Sequence, residues 1–123
     1  MIKKENDREN VIVNKSFEFA LNIIKYAELL ENLRKFVIAN QILKSGTSVG
    51  ANIREAQNAE SRADFIHKMK IASKEASETE YWLLLCKSSE NYPSSGNLLE
   101  DINEIMKLLS KIISSSKNNI NSQ

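Results

Sequence analysis

The chain has 123 residues, of which 41% are hydrophobic and 27% charged, with a formal net charge of +1. That length fits one domain, and a charge so close to zero supplies no bulk attraction to nucleic acid or to an anionic membrane. The single cysteine, Cys86, excludes an internal disulfide and a Cys-cluster metal site.

No stretch approaches the ~18 consecutive apolar residues of a membrane span. The charged opening MIKKENDRENVIV does not make a signal peptide, so the chain reads as cytoplasmic. One proline and three glycines are few breakers for this length and favour long helices. Residues 1–14 mix charges of both signs without periodicity and read as a flexible arm. Ser16, with Asn14 competing, is the expected N-cap of helix one, which runs to about Leu33. Its apolar residues fall in two sets: Phe17, Ala20, Leu21, Ile24 and Ala27, and then Phe19, Ile23, Tyr26, Leu30 and Leu33. Together they cover more than the stripe of a simple surface helix. A small bundle has little interior for a doubly buried helix, so the second flank is expected to meet another subunit.

Helix two is expected from Phe36 to about Asn58. Ala39, Ile42, Leu43, Gly46, Val49, Gly50 and Ile53 recur on one face. Glycine costs about 1 kcal/mol in a helix interior relative to alanine, so Gly46 and Gly50 in successive turns point to close approach of a neighbouring backbone. That small face and the double face of helix one both suggest self-association. Ser61 and Asp64 form a capping-box variant before Phe65, the clearest helix start in the chain. Helix three follows to about Ser88, with Phe65, Met69, Ala72, Ala76, Thr79, Leu83 and Cys86 on one face. The breaker cluster 91–96 precedes helix four, from about Asn97 to Ser114, whose Leu98, Leu99, Ile102, Ile105, Met106, Leu109, Ile112 and Ile113 make a regular apolar stripe. Residues 117–123 read as a polar tail. Four amphipathic helices with short links predict an all-α, antiparallel up-down-up-down four-helix bundle over residues 15–116.

The chemistry-bearing inventory is thin. His67 is the sole histidine and nothing in the sequence links it to Cys86, which sits in the apolar run LLLC. Bundle metal sites use Glu-x-x-His motifs, and none is present. The expectation is therefore no catalytic set, no metal, no cofactor and no small-molecule substrate. Arg54 and Arg62 flank the turn between helices two and three, and Lys70 and Lys74 follow one ridge of helix three. These four are the candidates for nucleic-acid contact, although a mixed-charge solvated face is the commoner reason for such residues. Tyr81, Trp82 and Tyr92 read as packing rather than base-stacking platforms.

One stretch carries a recognisable pattern. Gln41, Ser45, Ser48, Val49, Gly50, Ala51, Asn52, Ile53 and Glu55 read QxxxSxxSVGANIxE. Ser61, Asp64 and Phe65 read SxxDF, and Ala72, Glu78, Glu80, Leu83 and Leu84 follow. This pattern resembles the bacterial 23S rRNA-intervening-sequence proteins, the S23 family, from helix one to helix three. Helix four matches only in character. Where the family commonly has Glu-Gly after the Asn-Ile pair, Ala56 follows Glu55 here, which predicts a slightly longer helix two. The resemblance implies a homopentamer of four-helix bundles with no known activity. A related group, the accessory proteins of diversity-generating retroelements, is also pentameric and works with a reverse transcriptase and its RNA. RNA or a reverse transcriptase is thus the alternative partner that the resemblance implies, through a basic patch repeated around the ring.

Overall fold

The computed structural model of the protein describes the backbone of residues 4–121 and the side chains of residues 11–118. It contains four helices: α1 Lys4–Asn32, α2 Phe36–Ala56, α3 Arg62–Ser88 and α4 Leu98–Asn121. No strand occurs among the described residues. Each helix packs on its neighbours in chain order and α4 closes on α1, with no diagonal contact. This is the all-α four-helix bundle that the hydrophobic periodicity predicts.

The turn between α1 and α2 shows why that link can be so short. Arg34 takes a left-handed φ of 64°. The Lys35 N–H then reaches back to the Leu30 carbonyl at 2.8 Å and the Arg34 N–H to that of Glu31 at 2.9 Å. This pair of bonds is the Schellman arrangement, which satisfies carbonyls that a helix end otherwise leaves open. The link between α3 and α4 lies at the same end of the bundle. Its Pro93 carbonyl accepts from the Tyr26 hydroxyl at 2.8 Å, and Lys35 sits 4.8 Å from the centre of the Tyr92 ring. At the opposite end α2 stops at Ala56, two residues short of the predicted Asn58. The N–H groups of Gln57, Asn58 and Ala59 each bond three residues back, tightening the chain out of the helix.

Ser61 caps α3 as its sequence predicts: its hydroxyl accepts from the Asp64 N–H at 3.0 Å. The returning bond of the box is displaced by one residue. Asp64 Oδ2 accepts from the Glu60 N–H at 3.4 Å.

Two boundaries differ from expectation. Helix α1 begins at Lys4 rather than at Ser16, so residues 4–14 are helical. The reason is Ile12, which with Ser16, Phe19, Ile23 and Leu30 continues one face and is fully buried. Ser16 is an interior helix residue whose hydroxyl donates to the Val13 carbonyl at 3.1 Å. Helix α4 likewise runs past Ser114 to Asn121, and Ser116 is buried, so 117–121 continue the helix that was read as a tail. Residues 1–3 and 122–123 lie outside the described residues.

The core is continuous along the bundle. Ile23, Leu30, Ile42, Val49, Ile53, Met69, Leu83, Ile102 and Leu109 are all fully enclosed. Burying each such side chain contributes about 1.5–3 kcal/mol, which makes this face the dominant organising force.

Candidate functional site

Helix α2 sits between two neighbours and uses a different surface for each. Toward α1 it presents the glycines. A Cβ on Gly46 would stand 2.8 Å from Cγ1 and Cγ2 of Ile23, and one on Gly50 would stand 3.2 Å from the Ser16 carbonyl oxygen. The close approach that the glycines predict is therefore to α1 of the same chain. Gly46 is thereby buried and unavailable to another subunit, whereas Gly50 keeps part of its surface in the groove between α1 and α2.

Toward α3, α2 presents polar groups. Thr79 Oγ1 lies 2.9 Å from Ser45 Oγ and 2.7 Å from the Glu75 carbonyl oxygen, and both hydroxyls are buried. Glu55 receives a 3.1 Å ion pair from Lys68. The remaining polar residues of the α2 pattern close on their own helix. Ser48 donates to the Lys44 carbonyl at 2.6 Å, and Asn52 Nδ2 donates to the Ser48 carbonyl at 2.8 Å. Asp64 in the cap and Phe65 in the core likewise have hydrogen-bonding or packing roles, whereas Ala51 and Leu84 of the pattern are exposed.

Helix α1 is where apolar surface is left over. Of its second set, Phe19, Ile23, Tyr26 and Leu30 face the core, whereas Leu33 falls in the turn and is exposed. Of the first set Ala27 is buried, but Phe17, Leu21 and Ile24 are 51%, 40% and 37% exposed. These three share one side of the helix at spacings of four and three residues. Beside them a shallow groove of about 190 Å³ runs between α1 and α2, lined by Phe17, Ala20, Thr47, Gly50, Ala51 and Arg54. Phe36 and Val37 at the start of α2 are also largely exposed.

The four candidate basic residues do not form one patch. Arg54 lines the α1–α2 groove. Lys70 and Lys74 line a groove between α3 and α4. These two seams lie on opposite sides of a bundle whose helices pack only in ring order. Arg62 is exposed at the first position of α3. The residue that joins Lys70 and Lys74 is one the sequence reading left in the tail, Lys117 of α4. The Lys117 ammonium beside it holds the Lys70 ammonium below the ordinary lysine pKa.

No reactive constellation emerges among the described residues. His67 and Cys86 are about 28 Å apart along α3 at ~1.5 Å per residue. Cys86 is buried, which pushes its thiol pKa up, with the nearby Tyr26 hydroxyl opposing. Tyr26 is itself raised well above the usual tyrosine value, first by burial and then by Cys86. No group of three His, Cys, Asp or Glu side chains among the described residues is placed to hold a metal. No helix there is long and apolar enough to cross a membrane. Trp82 is half-buried, donates to Glu78 Oε2 at 3.1 Å and meets the Tyr81 ring edge-on at 5.3 Å.

Against known proteins, the family model described as 23S rRNA-intervening sequence protein matches residues 8–111. The chain belongs to this family. Among solved structures it is similar to a protein of unknown function from the S23 ribosomal protein family of Bacteroides thetaiotaomicron. The two share 51% sequence identity with a TM-score of 0.82, over 87% of this chain and 98% of that one. No curated protein matches it. In this intervening-sequence protein the match takes in the whole α2 pattern together with Lys70 and Lys74, but it ends before Lys117.

Proposed function

We propose that the protein is a non-enzymatic structural component that assembles with copies of itself in the cytoplasm. The observation that carries this reading is the outward flank of α1. Phe17, Leu21 and Ile24 stand exposed side by side, next to a groove floored by small residues. Contiguous exposed apolar surface of that kind marks an interaction site more often than a solvated face. A second copy meeting this flank with a different surface of its own forms a heterologous contact, which closes into a ring when the rotation permits. Five copies is the number that the family resemblance suggests.

The alternative, contact with RNA or a reverse transcriptase through one patch of Arg54, Arg62, Lys70 and Lys74, loses its geometric support. Arg54 and the two lysines belong to opposite seams. Light scattering on the eluting protein at micromolar concentration tests the assembly. Five protomer masses are expected. A monomer overturns self-assembly, and another closed number replaces the pentamer.

A further inference from the structure

The groove between α3 and α4 is unlike the other depressions on the bundle. It encloses about 500 Å³ and is lined by Lys70, Lys74 and Lys117, by Ser73, Ser110 and Ser114, and by Ile113 at its floor. None of these is a carboxylate. On a chain of net charge +1, three cations in one groove are a strong local excess. The ion pairs among the described residues are Lys15 with Glu104 and Lys68 with Glu55, so the groove lysines take no part in them. Lys70 and Lys117 come from different helices yet line the same groove, close enough for the charge of one to bear on the other. Two like charges held together repel, and an anion between them converts that repulsion into two attractions.

We propose that this groove binds the phosphodiester backbone of a nucleic-acid strand, with Lys70, Lys74 and Lys117 contacting phosphates and the three serine hydroxyls donating to phosphate oxygens. Its shape selects a linear anion over a small one. Small-molecule sites bury most of their ligand, whereas this groove is broadly open to solvent. Lys70 and Lys74 lie one turn apart, about 6 Å along α3, with Lys117 facing them from α4. The lining contains no Arg, Asn or Gln, the side chains that most often read base edges. Binding is therefore indifferent to sequence, since phosphate contacts position a strand without reading it.

The test is a fluorescence-anisotropy titration of the full chain with a labelled single-stranded RNA, repeated across ~50–200 mM salt. Three phosphate contacts predict that log K falls against log salt with a slope of about −2 or steeper. Lys70→Gln, Lys74→Gln and Lys117→Gln each weaken binding several-fold and flatten the slope by about 0.7 or more. Arg54→Gln changes neither, and RNAs of unrelated sequence bind alike. All four side chains are exposed, so each variant retains the fold, which circular dichroism verifies. The proposal is overturned by salt-independent or absent RNA binding, or by a loss with Arg54→Gln equal to that with the lysine variants. A strong sequence preference, or binding to phosphatidylserine vesicles with none to RNA, overturns it equally.

Discussion

Gly46→Ala is the sharpest perturbation of the α1–α2 packing. The new methyl would sit 2.8 Å from two carbons of Ile23 and 3.1 Å from a third. Carbon atoms prefer roughly 3.5–4.0 Å, so the contact must open by about 0.7 Å or more. Ile23 cannot turn aside, because it is fully buried and branched at Cβ. Overpacking of this kind costs about 1–3 kcal/mol, while removing a glycine from a helix interior returns about 1 kcal/mol, so the net is a destabilisation on the order of 1 kcal/mol. The decisive comparison is made in an Ile23→Ala background. That change removes all three clashing carbons and by itself costs about 2–5 kcal/mol. In that background only the propensity gain remains, and Gly46→Ala stabilises by about 1 kcal/mol. Urea denaturation of the four proteins of this cycle measures both values. Stabilisation by Gly46→Ala in both backgrounds, with additive effects, would refute the close-approach argument.

Further outcomes follow from the polar contacts. Thr79→Val keeps the shape but strands the buried Ser45 hydroxyl, and a loss of about 1–3 kcal/mol is expected by thermal or urea unfolding. Arg34→Gly relieves a left-handed residue at φ 64° and raises stability by up to about 1 kcal/mol, less the extra freedom glycine has when unfolded. The Cys86 thiol is raised in the fold above its ordinary value of about 9. A group raised in this way contributes stability that is fully present below the unfolded value and lost as pH climbs past it. The urea midpoint should therefore fall as pH rises above about 9, and fall less in Cys86→Ala. The same burial leaves Cys86 unreactive toward thiol reagents until the protein unfolds, which a reagent time course reads directly.

Much of the fold was legible because helical spacing says which residues share a face. The four helices, the Ser61 cap, the core face of α3 and the stripe of α4 all follow from it. Spacing does not say which neighbour a face meets. That is why Gly46 and Gly50 were read as a possible subunit surface when Ile23 and Ser16 of α1 fill the space beside them. It is also why Arg54 was grouped with Lys70 and Lys74, although α2 directs it to the opposite seam. Helix ends were the other weak point. Ile12 is enclosed within a segment otherwise dominated by charge, and Ser116 within a run of serines, so neither carried a visible apolar period. Lys117 was missed for the same reason: once 117–123 read as a tail, no helix was left to place it across from Lys70.

Sedimentation equilibrium of the wild-type chain beside a Phe17→Glu, Leu21→Glu double variant tests the account at its centre. Both positions are about half exposed in the single chain, so the charges disturb an outer face and leave the core alone. The wild type is expected to be a multiple of the protomer mass and the variant a folded monomer with unchanged helical circular dichroism. A wild-type monomer, or a variant that assembles as well as the wild type, would contradict it.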